Sequence, residues 1–203
     1  MKRTLSIALT LAATVGTSGV AFGHSSIANG PFFANKTAVV EFGLGHGCAG
    51  FDTYTTTVDI PAGVTSVRPM YSDVFNAFTV VKDPVTTQVT NITWQKDDAH
   101  LRDADEAYYK VNARMKIPDV PLTTIYFGIH HICKNPADQS LHYENWVLLP
   151  GEVGGVDDGP AAAMNVLPAR LPGWNKVAIP ADIPDLSVYF QDALIVWRGD
   201  EAY

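Results

Sequence analysis

His24 sits where its chemistry changes if the chain is cut in front of it. Lys2 and Arg3 give a short positive start, Leu5 to Val20 is apolar, and Ala21-Phe22-Gly23 closes the run with small residues of the kind signal peptidase accepts. The run carries several Thr, Ser and Gly, whereas a membrane span needs about 20 strongly apolar residues. It therefore reads as a cleavable secretory signal. Cleavage after Gly23 makes His24 the first residue. Its free α-amine and its own Nδ1 then chelate one metal ion through a six-membered ring. The amine, with an ordinary pKa of about 8, yields its proton to a strong Lewis acid near neutral pH. Copper(II) is the strongest first-row competitor for such nitrogens and favours tetragonal N/O geometry. The plain alternative is that cleavage falls beside an ordinary histidine.

The other candidate ligands come in two His-x-Cys pairs. His46 stands two residues before Cys48, and His131 two before Cys133. On a strand that offset puts each histidine on the face of its cysteine. If the two segments lie side by side in parallel with Cys48 bonded to Cys133, His46 and His131 face each other; an antiparallel arrangement separates them. Imidazole is a good copper ligand, but each histidine also reads as a buried, hydrogen-bonded neighbour of a disulfide, the reading preferred for His46. His130 falls on the opposite face, and His142 falls in a polar stretch read as loop. The two cysteines of an exported chain read as one long-range disulfide, with a two-thiol metal site as the rival.

The elements that must position these residues are nearly all β. Hydrophobic residues make up 47% of the chain, ample for one core. The formal charge is −7, and loss of the leader removes two cations and no acid. That argues against a nucleic-acid partner, which needs a basic footprint, and suits a protein that attracts cations. Strands are predicted at Thr37–Leu44, Thr53–Ile60, Ser66–Tyr71, Phe78–Lys82, Val89–Gln95, Tyr108–Ile117, Thr123–Cys133 and Tyr143–Leu149. Short strands at this spacing, broken by Pro, Gly and Asp, indicate a sandwich. Asp97 to Glu106 is a charged connection with room for one helical turn. The chain divides into a signal (1–23), a β-sandwich (24–150), a Gly- and Asp-rich linker or loop (151–166) and a β-rich C-terminal extension (167–203) with strands at Trp174–Ile179, Leu186–Tyr189 and Ala193–Trp197. Trp94 and Trp197 fit core positions, and Trp174 fits a contact packing the tail onto the domain.

The succession of motifs resembles a known family. A signal is followed by His24, then by His46-Gly47-Cys48-x-Gly50, Ile60-Pro61-Ala62-Gly63-Val64, Val89-x-x-Ile92-x-Trp94, Asp105-Glu106, Thr123-Thr124-x-Tyr126-Phe127 leading to Cys133, and Trp146. From Ser25 to Gly151 this is similar to the YcnI-like (DUF1775) exported domains. The resemblance implies an immunoglobulin-like fold and copper(II) bound by the N-terminal histidine in a monohistidine brace, beside a tryptophan and a carboxylate. It also implies copper delivery or homeostasis, with a membrane copper transporter or another periplasmic copper carrier as partner. His24 matches the brace histidine, Trp146 the tryptophan, and Cys48 and Cys133 the family's disulfide pair. The family's glutamate, in a Pro-Lys-Glu-like segment soon after the N-terminus, has no match: this chain has Asn29-Gly30-Pro31-Phe32-Phe33 there, and no acid between His24 and Glu41. Asp105 and Glu106 are the candidate replacements, and His46 and His131 offer a different mode of binding.

The reading that follows is a periplasmic or secreted copper(II)-binding protein, all-β and without catalytic machinery of its own. The alternatives are a copper monooxygenase-type enzyme, in which His46 or His131 supplies a second imidazole, and a non-metal immunoglobulin-like interaction module.

Overall fold

The computed structural model describes residues 24–102 and 104–170 continuously, and separate positions between 173 and 202. In chain order the strands are β1 (Ser26–Ile27), β2 (Phe32–Phe33), β3 (Thr37–Leu44), β4 (Thr53–Asp59), β5 (Thr65–Pro69), β6 (Ala77–Lys82), β7 (Val89–Gln95), β8 (Tyr109–Lys116), β9 (Thr123–Phe127), β10 (Ile129–Lys134), β11 (Leu141–Leu148), β12 (Asp158–Pro160) and β13 (Ala162–Leu167). A 3-10 turn at Asp98–His100 lies in the charged connection, capped by the Asp97 carboxylate, which accepts the His100 N–H.

The strands form a four-stranded sheet in the order β1-β3-β8-β5, a six-stranded sheet in the order β12-β11-β10-β4-β7-β6, and a three-stranded sheet in the order β2-β13-β9. Alternation supplies the core. β8 buries Tyr109, Val111, Ala113 and Met115 and exposes or half-buries the residues between them. β3 adds Val40, Phe42 and Leu44, and β4, β7 and β10 answer from the six-stranded sheet with Val58, Ile92, Trp94 and Ile129.

Two long predicted elements are subdivided. Thr123–Cys133 is not one strand: it breaks at Gly128, leaving β9 paired with β13 and β10 paired with β4 and β11. A Cβ at Gly128 would lie 2.9 Å from Asp59 Oδ2, so a larger residue there would push the Asp59 carboxylate aside. The stretch 151–166 is not a linker throughout. Asp158–Pro160 runs parallel to β11, and Ala162–Leu167 pairs with β9 and β2, burying Ala162, Met164, Val166 and Leu167. The Gly and Asp content belongs to the connection before β12, so the sandwich continues past residue 150.

The signal segment 1–23 lies outside the described residues, as does most of Ala193–Trp197; Trp197–Arg198 pairs with Glu201–Ala202. Of Trp174–Ile179, the described residues 175–177 and 179 are irregular. Leu186–Tyr189 is not a strand where it is described: Ser187–Tyr189 is a 3-10 turn, because Asp185 Oδ1 accepts both the N–H and the hydroxyl of Ser187 and curls the chain. The tail touches the sandwich where Tyr189 meets Thr124, hydroxyl to hydroxyl at 3.3 Å.

Two ties lock the sheets near the connections that carry the candidate ligands. Cys48, just after β3, is bonded to Cys133 on β10, with Cα atoms 5.6 Å apart. Closing a loop of this length stabilises a fold by roughly 2–5 kcal/mol. Beside it, Lys96 Nζ donates to Asp52 Oδ2 at 2.7 Å with both side chains buried, and lies 3.7 Å from the centre of the Tyr109 ring. The same Asp52 oxygen accepts the Arg102 N–H at 3.0 Å, fixing the start of the stretch that leads to Asp105. Removing one partner of a buried pair leaves an uncompensated charge. Asp52→Ala is thus expected to lower unfolding free energy by about 3–5 kcal/mol, and adding Lys96→Met to restore most of it. Urea denaturation of the single and double variants checks this; a single-variant loss below about 1 kcal/mol, the scale of a surface pair, would refute it.

Candidate functional site

The site is built on the paired strands β10 and β11. Their register sets Ile129 opposite Trp146, His131 opposite Glu144, and Cys133 opposite His142. On β10 the odd positions are buried, so His131 and Cys133 point inward together, and His130 does not. On β11 Glu144 and Trp146 share the same inward face, one step apart in the alternation. Trp146 is buried, and a Cβ at Gly159 on β12 would lie 2.3 Å from its Cε3 atom. The missing side chain at Gly159 is what makes room for the indole.

The N-terminal segment lies across this pair. β1 rides antiparallel on β3, and the Ala28 N–H extends the ladder to the Glu41 carbonyl at 2.8 Å. Upstream of β1, Ser25 is buried and its Oγ is hydrogen-bonded to His131 Nε2 at 3.1 Å. His24 is exposed, yet its ring centre lies 5.4 Å from that of Trp146, tilted by 47°. The structure therefore brings together His24 and Trp146, which the sequence placed more than a hundred residues apart.

Two residues before Trp146 on β11, and opposite His131, stands Glu144, a carboxylate the sequence reading passed over. Desolvation raises its pKa above the ordinary carboxylate value; His46 opposes that rise, and Asp157 and Asp105 add to it. Asp105 and His46 are thus within electrostatic reach of Glu144. The Asp105 carbonyl accepts the Gly47 N–H at 3.0 Å, and a Cβ on Gly47 would collide with the Phe51 carbonyl oxygen at 1.9 Å. Glycine at 47 lets the His46 segment close against Asp105. Glu106, the next residue, is exposed.

His46 and His131 also reach one another electrostatically, but not by the strand offset that suggested it. Only His131 lies on a strand; residues 45–47 are irregular, and Cys48 opens a tight turn to Phe51 with Ala49 at φ 53° and Gly50 at φ 82°. The His46 Nδ1 contacts the Gly47 carbonyl. Burial, then the charges of His46 and His130, push the His131 imidazole down to about 4, so it is neutral near pH 7. His130 faces the other way, between Asp59 and Asn145, and Asp59 raises its pKa. His142 is not in a loop but on β11, stacked on Phe51 at 4.9 Å.

Among the described residues, no three His, Cys, Asp or Glu side chains form a ready-made metal cluster. The Trp146 indole N–H is buried without a hydrogen-bond partner among them. An N–H has no lone pair to give, so the indole can wall a bound ion but not ligate it.

The fold and the site together define an immunoglobulin-like β-sandwich whose N-terminal segment packs on His131 and Trp146. The family described as a domain of unknown function, DUF1775, matches residues 24–166, and the chain belongs to that YcnI-like family. The matched span opens at His24 and runs through most of β13. A similar solved structure is that of an uncharacterized protein from Nocardia farcinica with an immunoglobulin-like fold: TM-score 0.52, 17% identity, covering 66% of this chain and 91% of that one. At that identity the likeness shows the fold alone. No curated protein matches the chain.

Two outcomes test the site's framework. The folded protein binds fewer protons at His131 than the unfolded chain between pH 6.5 and about 4. Stability from this residue is therefore full above pH 6.5, drains as pH falls, and is gone below about 4. His131→Gln is expected to flatten the metal-free stability profile across that window by about 3 kcal/mol relative to the unmodified protein; parallel profiles would contradict the buried neutral assignment. Gly159→Ala is expected to cost about 1–3 kcal/mol by overpacking the indole and to shift Trp146 emission, read by fluorescence-detected unfolding.

Proposed function

We propose that this protein is exported and binds copper(II) at His24 once the preceding peptide bond is cut, serving copper delivery or homeostasis. The observation that carries the reading is the His24 ring resting against the buried Trp146, at the residue where the family match begins. Copper is the cargo in this reading. The α-amine and the His24 imidazole would hold it, with Glu144 or Asp105 as the carboxylate closest to the expected role. The amine matters because, among the described residues, the side chains do not form a cluster of three by themselves. Trp146 keeps one side of the site dry and offers a π face to a cation, which suits holding an ion more than exchanging substrate around it. Export is supported by the disulfide, at home in oxidising compartments, and by the leader read at 1–23. Among the described residues no helix is long and apolar enough to cross a membrane.

The enzyme reading needs a second imidazole at the copper. The Nε2 of His131 is engaged by Ser25, which favours the carrier. The test uses protein with an authentic His24 terminus. Copper(II) titration with electron paramagnetic resonance is expected to show one imidazole plus an amine, and His24→Ala or a Gly-Ser-Gly-Ser extension to weaken binding by about a hundredfold, the effect of losing an intramolecular second donor. The extension is long because a histidine at the second or third position can itself chelate copper with amide nitrogens. Unchanged affinity in both variants would rule out the His24 site, and no tight copper site in the parent protein would leave the interaction module.

A further inference from the structure

We infer that Ser25 and His131 form a clamp that holds the mature N-terminus over Trp146, making His131 a positioning residue for the terminal histidine and not a ligand. The inference rests on the copper reading above for its functional consequence, but the clamp itself is geometric. A chain terminus ordinarily frays unless tied down. Here the second residue of the mature chain is 3% exposed and its partner 2% exposed. The 3.1 Å bond between them spans 106 residues of sequence. It also joins two sheets: residues 26–28 are laddered to β3, whereas His131 belongs to β10.

The chain is therefore held at three successive points. The β1 ladder fixes Ser26 and Ile27, the clamp fixes Ser25, and the His24 ring meets Trp146. Among the described residues, without the clamp the remaining tie upstream of β1 is an exposed ring against an indole. A free serine hydroxyl would prefer water, so its burial needs a polar partner inside the sandwich. His131 supplies that partner as a neutral ring, and a neutral ring next to an incoming cation adds no repulsion. Preorganising the terminus raises apparent affinity in proportion to the fraction of time it is in place.

The experiment compares the mature protein with Ser25→Ala, His131→Phe and His131→Gln, the last keeping a group able to hydrogen-bond. Backbone 15N relaxation at residues 25–27 is measured without metal, and copper(II) affinity by competition titration. Ser25→Ala and His131→Phe are each expected to raise fast mobility at Ser25 and Ser26 and weaken copper about tenfold, the loss of one buried hydrogen bond carried into binding. His131→Gln is expected to recover much of both, and all variants to keep one imidazole in the resonance spectrum. Unchanged order at residues 25–27 in Ser25→Ala and His131→Phe would overturn the clamp. So would a second imidazole in the parent spectrum that His131→Gln removes, because His131 would then be a ligand. Failure of the parent protein to bind copper, with mobility responding as expected, would overturn the copper reading while leaving the clamp standing.

Discussion

The antiparallel register of β10 against β11 decides which side chains meet. It sets His131 beside Glu144 and Ile129 beside Trp146, all on the inner face. A slip of β11 by one residue against β10 would turn Asn145 and Tyr143 inward and send Glu144 and Trp146 to the outside. Three features hold the register. Gly128 releases β10 from β9 so that each joins its own sheet, Cys133 is bonded to Cys48, and Gly159 receives the Trp146 ring.

Much of the fold was legible from period-two alternation and turn residues, because those signals are local. TYTTTVDI followed by Pro61-Ala62-Gly63 marks a strand and its end without reference to any partner. The errors arose where long-range pairing decides. β9 and β10 read as one strand because both halves are apolar, and the sheet change at Gly128 depends on where Asp59 lies. β12 and β13 were hidden in a linker because Gly and Asp dominate the average over 151–166. AAMNVL alone alternates enough to suggest a strand, as its burial confirms. The Leu186–Tyr189 strand failed for the opposite reason: a local Asx turn at Asp185 outweighed an apolar run.

The candidate site was legible only in part. His24 stood out by position and Trp146 by resemblance. Their contact is a tertiary fact that no spacing encodes. Glu144 was missed because the carboxylate was sought in the charged connection at Asp105 and Glu106. The usable signal was nearer: Glu144 precedes Trp146 by two on a strand, so any tryptophan facing the site brings that carboxylate with it. Ser25 gave no signal at all, since a serine beside an exposed histidine reads as surface. Its role depends on a partner 106 residues away. His46 and His131 were paired on a strand argument that fits only His131. His46 reaches the same neighbourhood through an irregular segment, against Asp105.

The polar groups buried around this pair have an unfavourable side. A neutral histidine, a serine and a desolvated carboxylate all lose hydration, and an apolar core would fold with less opposition. They are tolerated where the rest of the sandwich is strongly braced, by the disulfide and the Lys96–Asp52 pair near the same connections. Stability alone does not account for Glu144. Its inward position raises its pKa and leaves its charge facing Asp105 and Asp157, an arrangement that like-charge repulsion opposes. A cation brought to that neighbourhood would relieve the repulsion and recover the desolvation cost. In the proposed copper reading, the acids near Glu144 would thus be unfavourable in the empty protein and favourable in the filled one.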